Sequence, residues 1–295
     1  MPRLARHLEA LKAGWRSRRL DSDPLVFPHR YGDPGDREVV ALLAASLAFG
    51  RVASIQASVA RILEAMGPRP AAFLDAWDER PIPELEHFVH RWVTGQDVED
   101  LLRMVKRARD AHGSLGTLFA EGDAGERDFV AALSSFLGTL RSFSPTRRPF
   151  SPGLRFLLPS PSAGSACKRS HLFLRWMVRK DDVDLGLWTG GRFSPARLLL
   201  PMDTHVHRIT RYLGLTARRA PDLAASREAT GWLARLAPAD PVGYDWALSR
   251  LGILAECVRE KTLRHCARCA LAPVCHERIG PVARSRRDEE TITAP

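Results

Sequence analysis

The sequence predicts an all-α protein, because apolar residues recur at helical spacing along most of it while alternating β patterns are scarce. Glycine and proline fall mainly between those periodic stretches and punctuate them. At 295 residues the chain can bury a sizeable core in one or two domains.

Residues 4–19 read as a basic amphipathic helix with Leu4, Leu8, Leu11 and Trp15 on one side. Asp21, Asp23 and Pro24 end it, and residues 31–35 carry loop chemistry. Asp36 is the expected cap of an apolar helix over 37–49. Gly50 interrupts, and residues 52–66 resume a helix with Ile55, Val59, Ile62 and Leu63 aligned. Further helices are expected over 71–77, 83–93, 98–112 and 127–140. Residues 141–165, rich in Ser, Pro and Arg, read as a linker or surface loop whose arginines can follow a phosphate backbone. A helix is expected from Gly164 to about Lys180, followed by irregular chain over 181–201. Asp203 starts a helix over 204–213 that Gly214 closes. Helices over 224–236 and 241–257 lead into a cysteine segment, and residues 285–295 read as a disordered tail.

The formal charge of +10 and a pI near 10 favour a polyanionic partner. The basic residues are nearly all Arg, which base composition alone can produce. The lysines are only Lys12, Lys106, Lys168, Lys180 and Lys261, so a well-placed lysine is informative. No apolar run approaches the roughly 20 residues that cross a bilayer, and no signal-peptide core is present. No membrane partner and a cytoplasmic address are therefore expected.

Cys257, Cys266, Cys269 and Cys275 follow one another as C-x8-C-x2-C-x5-C. In a reducing compartment such a set points to metal binding more than to disulfides. Four thiolates suit zinc or an iron–sulfur cluster equally on chemistry alone. One tight pair flanked by two single cysteines differs from the paired knuckles of zinc ribbons. It resembles the cluster loop of the endonuclease III class of DNA glycosylases, except that the first gap there is six residues rather than eight. A [4Fe-4S] cluster is the cofactor expected, with zinc as the alternative. Arg259, Lys261, Arg264 and Arg268 suit a loop that touches phosphates.

Asp203, in Pro-Met-Asp-Thr-His205, sits just before a helix, where a cap is the ordinary role and the helix end favours a charged carboxylate. Its context adds a second meaning. Asp-Thr-His, a periodic helix ending in Leu-Gly-Leu215, a helix containing Gly252 and the cysteine loop together resemble the helix–hairpin–helix DNA glycosylase superfamily. The resemblance implies that Asp203 is essential for base excision. It also aligns Gly164 and Lys168 with the family's first hairpin glycine and the nucleophilic lysine of its lyase-competent members. A lysine at a helix amino end in a cationic groove offers more free amine for attack on C1′ of a deoxyribose. Ala166 replaces the second hairpin glycine, and Lys168 and Asp203 lie 35 positions apart, wider than the family's gap. Residues 181–200 then read as an insertion. Where the family often carries a Gln that fills the hole left by an extruded base, this chain has Ala48, with Phe49 and Arg51 adjacent.

Over its whole length the chain also resembles a bacterial family of conserved hypothetical proteins, through residues 164–169, 173–179, 184–188 and 201–205. That family is taken as a remote branch of the glycosylase superfamily. The resemblance implies a two-lobed helix–hairpin–helix glycosylase-like fold with a four-cysteine iron–sulfur loop. Residues 1–35 plus 195–284 would form the cluster lobe, and residues 36–194 the helical bundle with a degenerate hairpin. Lys168 and Asp203 are the candidate catalytic residues; Gly164, Arg169, Arg51, His205 and Arg208 are the candidate DNA contacts. Phe49, a wedge, and Asp184 and Trp188, which can read and stack on an extruded base, complete the set. His205 and His207 fall on different helix faces, a poor chelating geometry, and Cys167 reads as a packed thiol. The implied function is a base-excision glycosylase, with abasic-site lyase activity, acting as a monomer on damaged double-stranded DNA. The alternative is a non-catalytic iron–sulfur nucleic-acid-binding protein that retains the fold; a zinc-stabilised interaction protein is a third reading.

Overall fold

The structure is a computed structural model that describes residues 2–15, 20–145, 150–254 and 256–277. It is mostly helical. The elements are α1 (Pro2–Gly14), α2 (Val26–His29), α3 (Pro34–Ser46), α4 (Val52–Met66) and α5 (Pro70–Ala76), then a hairpin of β1 (Val89–His90) and β2 (Val93–Thr94). There follow α6 (Gly95–His112), α7 (Leu115–Glu121), α8 (Val130–Ser142), α9 (Pro152–Leu157), α10 (Lys168–Val178), α11 (Thr204–Tyr212), α12 (Leu223–Ala234) and α13 (Asp245–Ile253). Short 3-10 turns join several of them. No helix among the described residues is long and apolar enough to cross a membrane.

Helix α3 is the central strut. Asp33, not Asp36, is its cap: the Asp33 carboxylate accepts the Asp36 N–H at 3.0 Å, and Pro34 opens the first turn. Asp36 is buried and accepts the Ala71 N–H at 2.7 Å, which ties α3 to α5. Glu38, also buried, accepts the N–H groups of Leu115 and Gly116 and the Trp188 indole N–H at 2.7–2.9 Å. Helix α7, which periodicity leaves unassigned, is held there by Ser114 at its cap and by buried Leu118 and Phe119.

Residues 83–93 are not the expected helix. Arg91 has a φ of +60°, and the chain reverses there so that Val89 pairs with Thr94 and His90 with Val93. The His90 ring, bonded to Ser58 Oγ and to the Phe49 carbonyl, fastens the hairpin to the chain around α4. The expected linker of 141–165 holds α9, whose Leu154 and Leu157 are buried. The helix expected from Gly164 starts at Lys168, because Gly164 and Cys167 both lie in the left-handed region, with φ of +77° and +41°. The tail, 285–295, lies outside the described residues.

Helix α10 packs on α3, and α3 also meets α2, α4 and α5; α13 packs on α11 and α1. One apolar core runs through all of these, from Leu8 of α1 through Leu43 and Trp176 to Leu248 and Leu271. Gly252 lets α13 lie close to α11: a Cβ there would meet His205 Cβ at 2.4 Å. Gly252→Ala is expected to cost about 1–3 kcal/mol by overpacking, read as a fall in the urea midpoint.

Candidate functional site

A cavity of about 830 Å³ opens between α10 with the chain before it, residues 48–52, and the starts of α11 and α13. That volume falls within the range of small-ligand pockets. Lys168 and Asp203, 35 positions apart in the chain, both line it. Lys168 is the first residue of α10, and its Nζ donates to the Ala48 carbonyl at 3.4 Å. Asp203 caps α11, its Oδ1 accepting the N–H groups of His205 and Val206, both at 2.8 Å. Lysine and aspartate thus face one space from two helix amino ends. Arg51, exposed, and Arg155 stand on the same wall.

The other candidates divide. His205 lines the cavity, whereas His207 is buried and bonds through Nε2 to the Arg218 carbonyl, so the two rings do separate. Phe49 lines it too, packed edge-on against His90 and Phe156 at 4.5 and 4.7 Å and beside half-exposed Trp92 at 5.4 Å. Arg169 is not free to reach out for a phosphate. Its guanidinium lies 3.8 Å over the Phe156 ring and donates to the Phe156 carbonyl, and burial pushes it down to about 10. Arg208 likewise turns inward, onto the Cys257 carbonyl and the His205 ring, and so ties α11 to the cysteine segment. Gly164 is exposed, and Cys167 is buried beside Lys168, away from the other cysteines.

Asp184 and Trp188 are not base-pocket residues. Asp184 is buried between Arg175 and Arg179, accepting from both. Burial pushes its carboxyl up, against the two guanidiniums that pull it down. Trp188 is buried among Phe119, Phe173 and Phe193 and donates to Glu38. A charged side chain at full burial needs charged partners, and those partners took Asp184 out of the cavity wall.

Asp245, placed by the sequence only within the helix expected over 241–257, lines the cavity. Arg175 Nη1 donates to its Oδ2, while its buried Oδ1 has no partner. Burial pushes this carboxyl up to about 6, Arg175 and Lys168 oppose the rise, and the charge of Asp203 adds to it. The signal was present: an aspartate inside the otherwise apolar run 242–248 needs an explanation. Because the folded carboxyl binds its proton more tightly than the ordinary 3.8, Asp245 lowers stability as pH rises from about 4 to about 6. His171, fully buried with no partner on either ring nitrogen and pushed down to about 4, tilts the same window the other way. The wild type minus Asp245→Asn difference in urea stability is therefore expected to fall across pH 4 to 6.

The four cysteines of the carboxy-terminal segment line a second, small cavity of about 30 Å³ with Ile209, Leu213, Leu251 and Leu271. Burial raises the thiols of Cys257, Cys269 and Cys275, and the neighbouring thiols add to the rise. Among the described residues no group of three or more His, Cys, Asp or Glu side chains converges so that it could hold a metal ion. Arg264 is spent inside the segment, on the Val258 and Glu277 carbonyls and the Tyr212 hydroxyl, and Arg268 pairs with Glu256.

A protein-family profile described as "Protein of unknown function (DUF2400)" matches residues 23–254. The match contains Lys168, Asp203 and Asp245 and ends before the four cysteines. A comparison with curated proteins finds no match, nor does one with solved structures.

Proposed function

The chain belongs to the DUF2400 family, and from its cavity we propose a base-excision enzyme acting on damaged double-stranded DNA, a glycosylase with abasic-site lyase activity. The observation that carries the reading is the meeting of Lys168 and Asp203 on one cavity large enough for a nucleoside. Binding alone does not require an amine and a carboxylate in that arrangement. Asp203 stabilises the cationic sugar as the glycosidic bond breaks. The Lys168 amine then bonds to C1′, and β-elimination breaks the strand on the 3′ side. Arg51 and Arg155 offer charge to the flanking phosphates, and Phe49 an aromatic face to an unstacked base. The test is strand cleavage of duplexes that each carry one damaged base: cleavage of at least one supports the reading, and none, with abasic duplex also intact, overturns it.

Cys257, Cys266, Cys269 and Cys275 would hold an iron–sulfur cluster, whose role when bound is to cross-link the carboxy-terminal segment beside α11. Four cysteine side chains lining one apolar cavity supply the all-thiolate donor set that an iron–sulfur cluster or a zinc ion takes. Protein purified anaerobically is expected to carry iron and acid-labile sulfide. Cys269→Ser should lose most of both, and Cys167→Ala should keep them; zinc without sulfide would select the zinc alternative.

The non-catalytic reading draws on the hairpin. Ala166 is buried where the superfamily has glycine, and Arg169 is turned onto aromatic rings, so fewer donors face a phosphate. Steeply salt-dependent affinity for duplex without any cleavage would select it.

A further inference from the structure

Three carboxylates line the cavity that holds Lys168: Asp23, paired with Arg250, and Asp203 and Asp245, whose surroundings differ. Asp203 has its Oδ1 occupied by two backbone N–H groups at a helix end. Asp245 is enclosed by protein, is held by Arg175 through Oδ2 only, and keeps Oδ1 bare. Arg175 does not depend on Asp245, because it also binds Asp184 at 3.0 Å. Protonating Asp245 therefore leaves no buried cation unpaired. An unpartnered buried oxygen in a ligand cavity costs about 1–3 kcal/mol and calls for a use. Two acids held in such unlike settings are the pattern of a site that divides charge stabilisation from proton transfer.

We propose that Asp245 is a further catalytic residue, which stores the proton exchanged between Lys168 and the reacting oxygen. The proposal rests on the lyase reading above. The Lys168 ammonium gives one proton to Asp245 Oδ1, and the amine lone pair forms the N–C1′ bond at the aldehyde of an opened abasic sugar. The carbonyl oxygen, now carrying the electron pair of the broken π bond, takes that proton back from Asp245. The nitrogen then gives Asp245 its second proton. Asp245 returns it to the hydroxyl as the C–O bond breaks, and water leaves. The sum is ammonium plus aldehyde giving iminium plus water, with Asp245 again a carboxylate. Each transfer passes between Lys168, the reacting oxygen and Asp245 within the one cavity they line.

The charged groups around Asp245 are Arg175 and Lys168 from α10, Asp203 at the start of α11, Arg250 on its own helix, and Asp23, which pairs with Arg250. Glu9 and Lys12 of α1 face the adjoining Tyr244. Burial among these groups pushes Asp245 up to about 6.

The experiment is single-turnover cleavage of abasic duplex by the full chain from pH 5 to 8, for wild type, Asp245→Asn and Asp245→Glu. The wild type is expected to lose rate below about 6. Asp245→Asn should lose this acid limb and fall about 10²-fold at the plateau, and Asp245→Glu should restore a limb. An unchanged limb in Asp245→Asn overturns the proposal. A second measurement does not need turnover or a well-behaved active variant. The five lysines can be labelled by reductive 13C-methylation and the Lys168 signal assigned by its loss in Lys168→Arg. In the wild type that signal should inflect near 6 as Asp245 titrates, and the inflection should vanish in Asp245→Asn but persist in Asp203→Asn. If the wild type cleaves nothing, the lyase reading fails, and the lysine titration alone decides. An inflection tied to Asp245 then supports the proton coupling, and its absence from the wild type overturns it.

Discussion

Lys168→Gln is expected to abolish the covalent adduct that borohydride traps between the wild type and duplex DNA carrying an abasic site. A Schiff base needs a primary amine. The amide of Gln keeps the polarity and much of the reach but has no basic lone pair, so the loss should be at least about 10³-fold. Lys168 Nζ makes a single long contact, to the Ala48 carbonyl at 3.4 Å, at the edge of an open cavity. The substitution should therefore leave the fold and duplex affinity nearly unchanged. Lys12, Lys106 and Lys180 line no part of this cavity, and an adduct that survives in Lys168→Gln would remove Lys168 from the chemistry.

Asp184→Ala is expected to lower stability by about 1.5–3 kcal/mol, because two buried guanidiniums lose their hydrogen bonds to it. Its carboxylate is buried, taking both Nε and Nη2 of Arg175 and the Nη1 of Arg179. Arg175 is itself enclosed and Arg179 nearly so. Removing Asp184 leaves Arg175 with Asp245 as its carboxylate partner, while Arg179 still has Asp181 and Asp240, both partly exposed. The effect should therefore come mainly through Arg175. Asp240→Ala, which removes a partner already reached by water, should cost about 1 kcal/mol or less. Urea unfolding of the two variants reads the comparison. Equal losses would mean that water enters around Arg175 and that the network is not sealed.

Much of the helical order was legible in the sequence. Residues 52–66 form a helix with the bounds that its four aligned apolar residues predict, and Asp203 caps α11 as its position before an apolar-periodic run implies. Both features rest on contacts within a few residues, which periodicity and capping chemistry express directly. Residues 83–93 failed because two-residue strands leave almost no periodic signal, and a left-handed Arg91 announces itself in no pattern. Asp36 failed as a cap because its partner, the Ala71 N–H, lies 35 positions away.

The candidate site divides in the same manner. Lys168, Asp203 and the four cysteines stood out because residue type and spacing alone marked them. Arg169, Arg208 and Asp184 looked equally exposed as letters. Their side chains were claimed by groups distant in sequence: the Phe156 ring, the Cys257 carbonyl and the guanidiniums of Arg175 and Arg179. Asp245 had no role marked by its type or spacing and became part of the cavity because α13 lies close on α11 over Gly252. By itself, then, the sequence determined the helical class, the reactive residue types and the local caps, since each depends on neighbours in the chain. Tertiary structure alone decided which charges were buried in pairs, which faced the cavity, and that a lysine and an aspartate 35 positions apart share it. Desolvation makes those choices, because a charge leaves water only where a distant partner is waiting for it.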